Sequence, residues 1–596
     1  MNKSRYDTLT IKYALEFSSV FQGCSRISTK KLLQGLSRDR VALIAATLNH
    51  RYCNKPAMNI IHMLNSNDKN WEKLYNRVYR EVKKKYRTGV ELVAAFDIMP
   101  LELLRFAFSI DPKKMEDVPE ELVDQVQFAL VKCVMQINED LMRYSLDKKD
   151  EKNAAKIIMV NSASYNDVLK ESNDAYLYQV AQSFLFFKWI EQIPKYERLL
   201  QAFNNHFGIQ SWKEYVRTVY GLALMSFEKD TGVLPKTIEY DPPGLLSLSV
   251  LDKLSIDCNS EVFPYSAKDE FDRDGNSDYR HFKARPLLKL SNGDYVVHNA
   301  KILIDRLYSS LYFDFHELAD SMEGKHPDVS NLFTELFVEK IMFGSYLADS
   351  LKAGVYEAYD EKRLKGIYKI KEGEPGCPDY YLYNKARNSA IIFECKDIRL
   401  NSWVKGKRDY SLLEEEIRNK IVVKTYQQDQ KNHCRKNVEP IRIGVGQIAA
   451  HVANIRQGAF PWDKELPTDC NVYPVLVIAD NRLIFDGLPY LTKQWYEERL
   501  EEEGAKLNAS RPLIMMSPLT LLKYRPLFLK NGLEHYFEAY YASLKINSHR
   551  GAVDIINRVI SFDSYMDQFG YSLGELWQEI IGTLFNKEDL EAVNLV

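Results

Sequence analysis

Residues 376–397 read GCPDYYLYNKARNSAIIFECKD, and this stretch sets charged side chains at the ends of two strand-like segments. Asp379 precedes the run YYLYN, whereas Glu394 and Lys396 end the apolar run AIIFECK. Side chains alternate between the two faces of a strand, so Glu394 and Lys396 project together while Cys395 points into the body of the protein. An antiparallel hairpin of the two strands would bring the Asp379 carboxylate beside that of Glu394.

This grouping of residue types suits a metal ion. Two adjacent carboxylates repel, more strongly when buried, and a divalent cation removes the conflict. Mg²⁺ is usually held by one or two carboxylates together with water and substrate phosphate. Lys396 can orient or help deprotonate the attacking water and can offset charge on a phosphodiester. The pattern favours metal-assisted phosphodiester hydrolysis, although an ExK at a strand end also occurs simply where a strand meets solvent.

The flanking segments predict a set order of elements between residues 328 and 490. An amphipathic helix, VSNLFTELFVEKIMFGSYLADSL, comes first and carries Glu335 and Glu339 on one face. Three short strands follow, GVYEAYD, CPDYYLYN and SAIIFECKD, and then a helix, GVGQIAAHVANIRQG, and a buried strand, NVYPVLVIA. Farther on, PLIMM is a candidate strand, and Ser517-Pro518 predicts an N-cap followed by proline at the first helical position.

The residues GCPDYYLYNKARNSAIIFECK, in this order of elements, resemble the PD-(D/E)xK nuclease superfamily, which has the restriction-endonuclease-like αβββαβ core. The resemblance covers residues 328–490, about a quarter of the chain. It implies that Asp379 and Glu394 bind Mg²⁺, or Mn²⁺ in its place, and that Lys396 serves the attacking water. It also implies that the main-chain carbonyl of Cys395 is a further ligand.

Two more site residues follow from the same resemblance. Glu339 in the first helix would add a metal ligand, and Glu335 would be a residue of the helix face. Gln447 in the second helix matches a glutamine found in part of the family. The segment between Lys396 and Gln447 is longer than the shortest family pattern.

Length and composition indicate a soluble, multidomain protein, and the order of helical and strand-like segments indicates the α+β class. The chain has 596 residues, 45% hydrophobic and 27% charged, and a net charge of −2, so it is not a polycation that coats nucleic acid. Its eight cysteines are scattered, which argues against a disulfide scaffold or zinc ribbon and for reduced thiols. The N-terminus has no apolar signal region, and YLYQVAQSFLFFKWI is too short to span a membrane. We therefore expect a cytoplasmic protein without membrane contact.

The texture of the sequence suggests four regions. Residues 1–240 read as a helical regulatory or recognition region, and 241–327 as a mixed connector after the break at DPPG. In the connector, RPLLKLSNGDYVVHNA predicts a β-hairpin with a tight primed turn at Asn292-Gly293. Residues 328–490 form the expected nuclease core, and 491–596 a mostly helical C-terminal region.

The segment 405–442 carries ten Lys and Arg residues against six acidic residues. Beside the expected site, such a surplus could follow a phosphate backbone. The alternative is a helical hairpin of mixed charge, in which LLEEEIRNKIVVKTY forms i,i+4 pairs. The sequence leaves both open.

These observations lead to the expectation of a Mg²⁺-dependent endonuclease that acts on DNA. A nuclease attached to a large helical region resembles effectors of restriction or anti-phage defence, held inactive until a phage-derived trigger, a partner ATPase or a homo-oligomer releases it. The chain has no Walker motif, so any ATP dependence would need another polypeptide. The alternatives are a non-catalytic nucleic-acid-binding or scaffold protein that keeps the fold, and an RNase or repair nuclease with the same site.

Overall fold

A computed structural model of the chain describes residues 11–52, 69–86, 90–93, 98–141, 151–165, 175–227, 246–263, 279–323, 327–333, 338, 356–370, 376–407, 409–428, 435–506, 508–544, 558–569 and 574–585. The chain is a mixed α+β protein with two compact units, each assembled from separate stretches of sequence. The sheet unit contains residues 1–6, 146–166 and 330–573. The helical unit contains residues 7–145, 167–329 and 574–596. The four-region division drawn from the sequence is a different division of the chain and stays a prediction.

Helices dominate the described residues before 332. They are α1 (Phe17–Val20), α2 (Thr29–Leu33), α3 (Arg38–Thr47), α4 (Lys69–Tyr86), α5 (Met99–Phe108), α6 (Val123–Leu141), α7 (Glu151–Tyr165), α8 (Ala175–Ile190), α9 (Glu197–Phe207), α10 (Trp212–Phe227), α11 (Leu248–Lys253), α12 (Arg280–Ala284), α13 (Ala300–Asp305), α14 (Leu311–Ser321) and α15 (Val329–Asn331). The strands are β1 (Ile11–Ala14), β2 (Val90–Val93), β3 (Ser255–Asp257), β4 (Leu287–Lys289) and β5 (Tyr295–Val297).

These strands form two small sheets in the helical unit. β1 and β2 pair in parallel, which the sequence pattern of a wholly helical N-terminal region did not predict. β3 is parallel to β4, and β4 and β5 form the predicted hairpin.

The predicted primed turn is wrong, because only Gly293 (φ 89°) has a positive φ and Asn292 does not. Gly293 donates its amide to the Leu290 carbonyl, as expected of a longer loop in which a turn precedes a left-handed glycine.

The later half of the chain alternates strands and helices. The strands are β6 (Glu357–Asp360), β7 (Tyr380–Asn384), β8 (Ser389–Lys396), β9 (Val423–Gln428), β10 (Arg435–Arg442), β11 (Asn471–Ile478) and β12 (Ile514–Met516). The helices are α16 (Glu361–Ile367), α17 (Ser402–Lys407), α18 (Tyr410–Ile421), α19 (Val445–Arg456), α20 (Leu488–Glu502), α21 (Pro518–Lys523), α22 (Arg525–Asn531), α23 (Leu533–Leu544), α24 (Phe562–Met566) and α25 (Gly574–Leu584).

The largest sheet has five strands in the order β12-β11-β8-β7-β6. β6, β7 and β8 are antiparallel neighbours, while β8, β11 and β12 run parallel. The connection from β8 to β11 passes through α19, as a parallel pair requires a crossover. The predicted strands at PLIMM and NVYPVLVIA and the predicted helix at GVGQIAAHV are confirmed, as is the N-cap at Ser517 with Pro518 following.

Helices cover both faces of this sheet, so its central strands are buried on both sides. On one face α7, α18, α19 and α20 pack against side chains such as Ile392 and Leu476. On the other face α21 to α24 pack against Phe393, Cys395 and Val477. All residues of β8 except the last are buried, which explains its continuous apolar sequence.

The segment 405–442 is not the helical hairpin considered above. Helix α18 is followed by β9 and β10, which pair antiparallel with an irregularity between Asn437 and Ile441. The mixed-charge segment LLEEEIRNKI lies in the single helix α18, and the strand β9 begins shortly after it at Val423.

Among the described helices, none is both long enough and apolar enough to cross a membrane.

Candidate active site

Asp379 and Glu394 meet at one end of the β7–β8 ladder. Tyr380 pairs with Phe393, so Asp379 and Glu394 stand opposite each other one residue beyond that pair. Asp379 Oδ2 accepts a hydrogen bond of 2.6 Å from the Cys395 amide. The hairpin register therefore brings the two acids together as the sequence predicted.

Lys396 bridges the two acids. Its Nζ lies 2.9 Å from Glu394 Oε2 and 3.8 Å from Asp379 Oδ2. The Lys396 and Asp379 side chains are 23% and 17% exposed, whereas Glu394 is fully buried. The lysine thus lies between a buried carboxylate and the surface.

The charge of Lys396 follows from its neighbours. Burial acts to lower its pKa, but the carboxylates of Glu394 and Asp379 outweigh burial and raise the pKa above the ordinary lysine value. The side chain is therefore an ammonium ion at neutral pH. In this arrangement it neutralises the acids and does not act as a proton acceptor.

His451 of α19 lies behind Glu394. Both side chains are fully buried, and His451 Nε2 is 3.8 Å from Glu394 Oε1. Within the described part of the chain, Glu394 Oε1 and both ring nitrogens of His451 have no hydrogen-bond partner. One oxygen of the buried acid is thus held by Lys396, and the other faces an unsatisfied imidazole.

Gln447 of α19 lies near Gly376, three residues before Asp379. Its Oε1 accepts a 2.8 Å hydrogen bond from the Gly444 amide, and its Nε2 is 3.2 Å from the position that a Cβ on Gly376 would occupy. A Cβ on Gly444 would in turn be 3.4 Å from Lys396 Cγ. The N-terminus of α19 therefore contacts both the segment before Asp379 and the stem of Lys396.

Cys395 contributes through its backbone. Its side chain is buried in the core on the opposite sheet face, as strand alternation predicted. Its amide points to Asp379, and the carbonyl of the same strand residue points to the same side of the strand. Glu339 and Glu335 lie outside the described residues, so the resemblance alone carries their assignment.

The described residues fit a Mg²⁺ ion that keeps water and substrate ligands. They offer the carboxylates of Asp379 and Glu394 and the Cys395 carbonyl, all hard oxygen donors. Asp379 Oδ2 and Glu394 Oε2 lie 3.8 Å and 2.9 Å from Lys396 Nζ, so the two oxygens face one position that a cation already occupies. The described residues do not contain a group of three His, Cys, Asp or Glu side chains arranged to hold a metal. The described residues would therefore supply only part of the metal coordination, and water or substrate phosphate would complete it.

Three residues of this site have no role assigned from the sequence: His451, Gly444 and Gly446. His451 is four positions after Gln447, hence on the same helical face, and this spacing was the available signal. Gly444 and Gly446 do not form a phosphate-binding GxxxxGK[ST] loop, and the sequence gives no other signal for them. A Cβ on Gly446 would lie 2.4 Å from the Val422 carbonyl oxygen, so both glycines allow α19 to start against the end of α18.

Several cations of the segment 405–442 are already paired with acids. Arg418 lies 2.9 Å from Glu498, and Lys420 lies 2.7 Å from Glu416. Arg442 lies 2.7 Å from Glu503. Ion pairing with acidic residues of the same protein favours a surface of mixed charge over a phosphate-binding surface at these three cations.

Comparisons of the chain with family models, with curated proteins and with solved structures find no match.

Proposed function

We propose that the chain is a Mg²⁺-dependent endonuclease that hydrolyses DNA phosphodiester bonds, with a restriction-endonuclease-like core in residues 328–490. The observation that carries the proposal is the meeting of Asp379, Glu394 and Lys396 at the end of the β7–β8 ladder. The Glu394 side chain is fully buried, and one of its oxygens has no hydrogen-bond partner among the described residues. A buried, unpaired polar atom destabilises the folded state by about 1–3 kcal/mol, so a purely structural role does not explain this residue.

Each residue has a chemical part in this proposal. Asp379 and Glu394 would bind the ion through carboxylate oxygens, with the Cys395 carbonyl beside them. Bound Mg²⁺ supplies Lewis-acid stabilisation of the phosphodiester and activation of water. The Lys396 ammonium group would leave the carboxylates and offset the negative charge that develops on the scissile phosphate.

The helical unit suggests a biological setting. We propose that the nuclease is a gated, cytoplasmic effector of restriction or anti-phage defence, on the resemblance stated above. A phage-derived component, a partner ATPase or assembly of the chain into an oligomer would release the activity.

Plasmid cleavage by the purified full-length chain tests the proposal. Once one of these triggers has released the activity, we expect cutting of supercoiled DNA with Mg²⁺ or Mn²⁺ and none with EDTA. Lys396→Met should lower the cutting rate at least about 100-fold, a size typical of removing one transition-state charge partner. Lys385→Met is the matched control, because Lys385 is exposed in the turn at the other end of β7 and should cut like wild type.

The same assay separates the alternatives. Equal cutting by Lys396→Met and wild type would contradict the assigned site. Cleavage of RNA in place of DNA would leave the site intact and replace the substrate. DNA binding without cleavage under any metal and any candidate trigger would favour the scaffold interpretation.

A further inference from the structure

His451 and Glu394 form a buried polar pair that the residue roles above do not use. Both are fully buried, and the gap between Nε2 and Oε1 is 3.8 Å, just longer than a hydrogen bond. Glu394 Oε2 already accepts from Lys396, so only Oε1 is left facing the imidazole.

Among the described residues, neither ring nitrogen of His451 has another hydrogen-bond partner. Ile448 and Val452 on either side are buried core residues, and the Phe460 ring lies edge-on with its centroid 6.0 Å away. Each unpaired buried polar atom costs about 1–3 kcal/mol, and this cost disappears for both atoms when they bond to each other. Closure by roughly 1 Å is sufficient to reach ordinary hydrogen-bond length.

We propose that His451 is a positioning residue that donates its Nε2–H to Glu394 Oε1 when the carboxylate holds the metal ion. The inference rests on the proposed function, because it assigns Glu394 as a ligand. The imidazole would fix one carboxylate oxygen from the core side and leave Oε2 directed towards Asp379. In this tautomer Nδ1 carries no proton, so the bond satisfies the one N–H of the ring and leaves Nδ1 as an unpaired acceptor among the described residues.

A carboxylate ligand anchored in this way binds metal more tightly than a free one. Loss of such a supporting hydrogen bond typically lowers metal affinity 10- to 100-fold. An isosteric residue that keeps a donor at the same reach should preserve most of the affinity. His451→Gln and His451→Met can therefore be compared directly, since the two new side chains have similar length and only Gln donates a hydrogen bond.

The test is titration of the full-length chain with Mn²⁺, with free Mn²⁺ followed by its electron paramagnetic resonance signal. We expect His451→Gln to bind within about 3-fold of wild type and His451→Met to bind about 10- to 100-fold more weakly. Asp379→Asn serves as the control that removes a ligand directly. Thermal unfolding of each variant accompanies the titration, and His451→Phe replaces His451→Met if the latter does not fold.

The outcomes separate this inference from the proposed function. Wild-type affinity in a folded His451→Met or His451→Phe chain overturns the role of His451 and leaves the metal site standing. Equal weakening in the Gln and Met variants also overturns it, because the donor would then not matter. Absence of Mn²⁺ binding by wild type contradicts the proposed function itself.

Discussion

Gly444, the residue before α19, allows the start of this helix to pack closely against Lys396. Its φ of 46° is a region that other residues rarely adopt, and an added Cβ would lie 2.7 Å from the Ile421 carbonyl oxygen. We expect Gly444→Ala to lower the free energy of unfolding by about 1–3 kcal/mol from backbone strain alone, and by more from the clash. Urea unfolding measures the change.

Gly504→Ala is the matched control for that prediction. Gly504 also has a positive φ, 74°, but a Cβ there would meet nothing within 4 Å. The control should therefore show the strain without the clash, and equal losses in the two variants would contradict the steric account.

His298 makes the stability of the helical unit depend on pH. Burial lowers the pKa of His298 to about 4 from 6.5, so the native side chain stays neutral while the unfolded chain takes up a proton below 6.5. Stability that is present above pH 6.5 is therefore lost as the pH falls towards 4, by up to about 1.4 kcal/mol per pH unit.

His298→Gln removes this proton uptake. The variant should be less stable at pH 7.5, because His298 Nε2 contacts the Arg285 carbonyl at 3.1 Å, but its deficit should shrink as the pH is lowered to 4. Unfolding curves at four pH values measure the difference, and a deficit independent of pH would refute the assignment.

The triad of Asp379, Glu394 and Lys396 could be predicted because strand alternation and hairpin register are local. His451 could not, because a single histidine in an apolar helix has the pattern of a core residue until the facing strand is known. Gly444 was visible as a glycine, but the carbonyl that excludes a Cβ belongs to the end of α18, 23 positions earlier in the sequence at Ile421.

At the scale of elements, α7 belongs to the core of the sheet unit. Ala155, Met159 and Val160 are buried with side chains of α18, α19 and α20, and a Cβ on Gly487 would lie 2.8 Å from the Ala155 carbonyl oxygen. We expect a fragment of residues 330–573 to unfold at lower urea concentration than the same fragment with peptide 146–166 added, since the peptide covers apolar surface.

Two altered peptides sharpen this test. Met159→Asp places a charge in the core and should abolish the stabilisation, whereas Lys152→Asp changes an exposed position and should retain it. Identical unfolding of the fragment with and without the wild-type peptide would show that α7 is dispensable.

The elements differ in how far the sequence predicted them. The strands β6, β7 and β8 and the helix α19 follow from periodicity, and β12 from its short apolar run. The primed turn at Asn292-Gly293 was wrong, because loop length and not the dipeptide alone sets the turn. The β1–β2 pair was missed because its strands are four residues each and 75 positions separate their ends.

At the scale of the whole molecule, both compact units are discontinuous in sequence. Patterns of composition find boundaries between neighbouring stretches, but they carry no signal for a helix at 151–165 that joins a sheet formed after residue 356. This is why the mixed α+β class could be predicted and the membership of the units could not.

Anomalous diffraction from crystals of the full-length chain soaked with Mn²⁺ tests directly whether Asp379 and Glu394 bind a metal ion. We expect one strong peak within coordination distance of carboxylate oxygens of both Asp379 and Glu394, with the Lys396 Nζ displaced from Glu394. A fully loaded crystal without density between these two acids, and with Lys396 still bridging them, would contradict it.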